Sequence, residues 1–108
     1  MARDTTDIRS IETVDELVDY LAAGNKPRAD WRIGTEHEKF PFYSDGNSPV
    51  PYGGEHGIKA LLEGMQRVLG WEPIIDAGNI IGLVEPTGCG AISLEPGGQF
   101  ELSGAPLE

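Results

Sequence analysis

The chain has 108 residues, 39% of them hydrophobic, with 18 acidic against eight basic side chains and a formal net charge of −10. That length fits one small domain or a piece of a larger one, and the apolar content supports a modest core, which excludes wholesale disorder. So acidic a surface repels phosphate backbones and anionic lipid. Neither a nucleic-acid nor a membrane partner is expected, and a nucleotide would need a divalent cation or local basic groups.

The opening MARDTTDIRS has no apolar signal core and no run of the chain approaches the length of a membrane span, so a cytoplasmic location is expected. Residues 1–12 are polar and read as a flexible N-terminal arm. Thr13-Val-Asp-Glu16 has the spacing of a capping box, and Val14, Leu17, Val18 and Leu21 follow at helical intervals until Gly24. A helix over Thr13 to Ala23 follows from that pattern. Trp31 to Phe42 lacks a helical stripe and is rich in Ile, Thr and aromatics, which predicts a strand ending near Pro41. Gly, Pro, Ser and Asn over residues 44–54 make a loop, and Gly53-Gly54 without a Lys-Ser/Thr is a plain turn rather than a phosphate loop.

A second helix is expected from Gly57 to Leu69, with Ile58, Leu61, Leu62, Met65, Val68 and Leu69 on one side and Gly70 after it. Four short strand-like runs then follow: Trp71 to Asp76, Asn79 to Glu85, Ala91 to Glu95 and Gln99 to Ser103. Asp76-Ala-Gly-Asn79, Pro86-Thr-Gly88 and Pro96-Gly-Gly98 between them are turn chemistry, so the strands form an antiparallel meander. With both helices on one face of that sheet the class is α+β. The end at Ala105-Pro-Leu-Glu108 supplies no closing element, so residues 13–108 read as a truncated and marginally stable part of a domain.

The chemistry concentrates in GTEHEK (34–39) and ISLEPGGQFELSG (92–104). Glu36 and Glu38 are two apart on a strand and project from the same face, their Cα atoms about 6.5–7 Å apart. In the second stretch Gln99, Glu101 and Ser103 share one face and Phe100 and Leu102 the other, with Glu95 closing the preceding strand. If the two stretches are neighbours, four carboxylates converge, which is costly unless cations or protons neutralise them; magnesium is the natural hard partner. The bland alternative is a solvated polar face, and residue types alone leave the two in balance. His37 falls on the opposite face and suits packing or hydrogen bonding in the sheet better than ligation. Lys39 shares that face and suits a surface salt bridge. The lone Cys89 excludes an internal disulfide or a multi-cysteine zinc site, and between Gly88 and Gly90 it has no nearby base to make it a nucleophile.

Gly34-Thr-Glu-His-Glu-Lys-Phe40 together with Ile92-Ser-Leu-Glu-Pro-Gly-Gly-Gln-Phe-Glu-Leu-Ser-Gly-Ala-Pro-Leu107, and Tyr52-Gly-Gly with the helix after it, closely resembles the plant and proteobacterial type of glutamate–cysteine ligase. The resemblance spans residues 10–108. It implies the N-terminal part of a glutamine-synthetase-like catalytic domain, with an antiparallel sheet whose inner face holds magnesium ions, ATP and glutamate. It further implies ATP-dependent joining of the γ-carboxyl of L-glutamate to the amine of L-cysteine through an acyl phosphate, the first step of glutathione biosynthesis. By the same resemblance Glu36, Glu38, Glu95 and Glu101 are the expected magnesium ligands and Gln99 belongs to the substrate or nucleotide pocket. Family enzymes are several times longer, so this piece is expected to be inactive alone; the absence of a plastid transit segment points to a bacterial origin. The rival readings are a non-catalytic acidic domain that binds a divalent metal and, third, a glycosidase-like carboxylate pair, which leaves two of the four acids unexplained.

Overall fold

Thr13 opens the first helix by accepting a hydrogen bond from the Glu16 amide at 3.3 Å, as its spacing predicts. The reciprocal half of the box is displaced by one residue, since the Glu16 carboxylate accepts from the Glu12 amide at 2.8 Å. The structure is a computed structural model and describes residues 9–108; most of the expected arm lies outside the described residues, and its residues 9–12 are exposed and irregular. Two compact units divide the chain, one reaching to Arg32 and including Glu108, the other spanning residues 33–107. The first contains helix α1, Val14–Ala23, none of whose residues is buried, and a short 3-10 turn at Arg28–Asp30.

The second unit holds strand β1 (Glu36–Lys39), helix α2 (Ile58–Leu69) and strands β2 (Glu72–Asp76), β3 (Asn79–Val84), β4 (Ala91–Glu95) and β5 (Gln99–Ser103). They form one antiparallel five-stranded sheet in the order β1-β5-β4-β3-β2, the expected meander with the first strand added beside the last. The fold is α+β.

The strand expected over Trp31 to Pro41 shrinks to Glu36–Lys39, flanked by single bridges from Ile33 to Leu107 and from Phe42 to Pro49. A strand is only as long as its partner. The Pro96-Gly-Gly98 turn ends just before Gln99, and Pro106 beyond Ser103 has no amide to give.

Helix α2 packs on the sheet through Ile58 and Leu62, which join Ile80, Leu83 and Ile92 in the buried core, with Tyr52, Met65, Trp71, Leu94 and Phe100 packed around them. Val68, expected on the apolar side, is 85% exposed, and Leu61 and Leu69 are also largely exposed, so the buried stripe is narrower than the apolar one. Ile80 and Leu83 sit three apart, which in a regular strand would place them on opposite faces. A register shift in the β2–β3 pair at Ile74/Ile75 adds a residue to β3 and brings both into the core.

Candidate active site

Three neighbouring strands set the positions of the sequence-predicted acids. β1 pairs with β5 so that Glu36 faces Ser103 and Glu38 faces Glu101, and β5 pairs with β4 so that Glu101 faces Ser93 and Gln99 faces Glu95. Residues directly opposite one another share a face, and so do residues two apart. Glu36, Glu38, Glu95, Glu101 and Gln99 therefore all lie on one side of the sheet, with Ser93 and Ser103 among them. The row through Glu38, Glu101 and Ser93 continues to Gly82 on β3, a buried position where a β-carbon would meet the Ile92 carbonyl oxygen at 2.4 Å. His37 and Lys39 fall on the other side with Phe100 and Leu102, as alternation requires.

Within the acidic face each of three carboxylates accepts a hydrogen bond from a neutral donor. The Gln99 amide donates to Glu38, the Ser93 hydroxyl donates to Glu95 at 2.9 Å, and the Ser103 hydroxyl donates to Glu101 at 2.7 Å. Burial is uneven: Glu101 is 6% exposed and Ser93 2%, whereas Glu36 and Glu38 are exposed. None of the described strand residues on this face is Lys or Arg. Carboxylates gathered on one face of a sheet attract cations to their oxygens.

The opposite face offers a different environment. A cavity of about 390 Å³ is lined by His37, Lys39, Met65, Ile92, Phe100 and Leu102 of that side and also by Glu101. His37 is exposed rather than packed in the sheet, and Lys39 forms no ion pair among the described residues. At the start of α2 the amides of Ile58 and Lys59 are engaged, donating to the carbonyls of Pro51 and Tyr52, both at 2.9 Å. Cys89 is exposed in the β3–β4 turn with only the Thr87 carbonyl near its sulfur.

The profile of Glutamate-cysteine ligase family 2 matches residues 32–108, a stretch that includes every residue of the acidic face. Over 96 residues, 89% of this chain, it is 51% identical to glutamate–cysteine ligase A, chloroplastic, of Oryza sativa subsp. japonica, and equally to glutamate–cysteine ligase, chloroplastic, of Medicago truncatula. Identity to the chloroplastic glutamate–cysteine ligase of Nicotiana tabacum is 52% over the same length. The chain belongs to glutamate–cysteine ligase family 2. It spans only 17–18% of the length of these relatives.

For a member of this ligase family the chemistry of the donor set can be compared with a hard divalent ion. All side-chain donors on the acidic face are oxygens or an amide, which suits magnesium and excludes a soft-metal site. Among the described residues, however, no three His, Cys, Asp or Glu side chains gather closely enough to form a metal cage. If magnesium bound on this face, one or two of these carboxylates would have to hold it. Ser93 escaped the sequence reading. Its signal was its spacing: two before Glu95, it had to share that residue's face once Ala91 to Glu95 was a strand.

Proposed function

We propose that this chain contributes the acidic face of a glutamate–cysteine ligase active site, in an enzyme that joins the γ-carboxyl of L-glutamate to the amine of L-cysteine with ATP, the first step of glutathione biosynthesis. The observation that carries this reading is the family match over residues 32–108, supported by identity near one half to relatives named for that ligation. The γ-carboxylate oxygen attacks the γ-phosphorus of ATP, the bond to ADP breaks and an acyl phosphate forms. Cysteine's amine nitrogen then attacks the acyl carbon, phosphate departs, and the nitrogen loses a proton. Most of the acceleration in such transfers comes from positioning and charge neutralisation.

Glu36, Glu38, Glu95 and Glu101 are the proposed holders of magnesium, one or two per ion. Magnesium bound there would supply positive charge that the phosphates need. Gln99, which donates to Glu38, is proposed to orient that carboxylate and to belong to the substrate or nucleotide pocket. Glutamate, cysteine and ATP are the only partners this reading requires. A cytoplasmic location is a separate proposal that the family match does not support, and fractionation against a plastid alternative, raised by the relatives' names, decides it. The non-catalytic metal-binding alternative has no observation of its own in its favour.

Glu36→Gln and Glu101→Gln in the full-length enzyme each remove a charge while keeping the shape. Both should lower the turnover number at limiting magnesium by two or more orders of magnitude, on the order expected for metal-ligand loss. Circular dichroism should be unchanged. Near-normal turnover of both variants at limiting magnesium would remove the metal assignment.

A further inference from the structure

On strands β1, β5 and β4 the acids of the candidate site do not stand next to one another alone; two serine hydroxyls are interleaved among them. Ser103 lies opposite Glu36 and two residues from Glu101, and Ser93 lies opposite Glu101 and two residues from Glu95. Each hydroxyl donates along its own strand to a carboxylate, Ser103 to Glu101 at 2.7 Å and Ser93 to Glu95 at 2.9 Å. Ser93 is 2% exposed, so its hydroxyl proton needs a protein acceptor, and a carboxylate offers only acceptors.

We propose that Ser103 and Ser93 are positioning residues that fix the Glu101 and Glu95 carboxylates for a divalent cation. The choice of donor matters physically. Lys or Arg at either position would orient the carboxylate equally well but cancel the charge the cation is drawn to. A hydroxyl occupies one lone pair and narrows the rotamers while bringing no charge of its own. A strand makes this cheap, because the same-face neighbour two residues away is within reach without any turn or loop.

The inference rests on the ligase reading above, and the closing experiment separates their failures. In the full-length enzyme, Ser103→Ala, Ser103→Thr, Ser93→Ala and Glu101→Gln are compared with the unaltered protein. Manganese binding is measured by electron paramagnetic resonance, and turnover is followed against magnesium concentration. Ser103→Ala should weaken manganese binding and raise the magnesium requirement about 10-fold or more, with kcat at saturating magnesium falling much less. Ser103→Thr, which restores a hydroxyl at a half-buried site, should recover most of the affinity; Ser93→Ala should act in the same direction. If Glu101→Gln loses manganese while folded Ser103→Ala binds it as the unaltered protein does, the positioning role is overturned and the metal site stands. If neither the unaltered protein nor Glu101→Gln shows site-specific manganese binding, the metal assignment itself fails and takes the positioning role with it.

Discussion

A methyl group on Gly57 would sit 2.3 Å from the Gly53 carbonyl oxygen and 2.7 Å from that of Tyr52. Both are backbone atoms of the loop folded over the start of α2, which cannot yield as a flexible side chain would. The same loop is tied to the sheet by the Tyr52 hydroxyl, which donates to the Ile80 carbonyl at 2.9 Å. Gly57→Ala should therefore destabilise the chain by about 1–3 kcal/mol, the range for forced overpacking, read as a lower urea midpoint. Gly53→Ala is the matched control: nothing lies within 4 Å of its β-carbon, so its midpoint should stay within about 0.5 kcal/mol of the parent. Equal effects of the two substitutions would mean that the loop does not close over α2. Sequence reading treated Gly53-Gly54 as the glycines to notice, whereas the tight contact belongs to Gly57. No local pattern announces a close approach between segments.

At the scale of elements the hairpins were the most legible part. β4 and β5 run over the residues their alternation and turn chemistry predicted, because Pro96 and Gly97 fit a type II turn, with Gly97 at φ 82° and the Gly98 amide returning to the Glu95 carbonyl at 3.1 Å. The β2–β3 turn is less comfortable. Ala77 at φ 45° precedes Gly78 at φ 80°, the two left-handed residues of a type I′ turn, and alanine is a poor occupant of the first. Ala77→Asn should raise stability by roughly 0.5–1 kcal/mol, since asparagine tolerates that region. The expected reading is a higher thermal midpoint; a fall would mean the turn adopts another type in solution. The bulge that gathers Ile80 and Leu83 was not legible, because it exists only in the pairing between β2 and β3.

For the whole molecule, the second unit is a sheet with one helix against it and five buried apolar side chains at its centre. That is a small core, and about 3–5 kcal/mol of stability is what such a core can be expected to give. None of the described strand residues on the acidic side is Lys or Arg, Lys39 of β1 falling on the other side, although the triphosphate of ATP needs cationic partners besides magnesium. The 108-residue chain by itself should thus show no glutamate- and cysteine-dependent ADP release, whereas the full-length enzyme should. Turnover by the purified 108-residue chain in that assay would overturn the expectation and place the missing cations within these residues.

The sequence by itself determined the elements that local chemistry controls: helix starts at Thr13 and Gly57, turns at Pro96-Gly-Gly98 and Asp76-Ala-Gly-Asn79, and the family, carried by two motifs that lie far apart in the chain. It also put Glu36 with Glu38, and Gln99 with Glu101 and Ser103, because period-2 alternation fixes faces within a strand. Only the tertiary structure decided that β1 adds beside β5, and so that the two acidic motifs share one face with Glu38 opposite Glu101. Pairing between segments more than 60 residues apart depends on which edge is free and which core face must be covered. Neither is written in the residues of either strand.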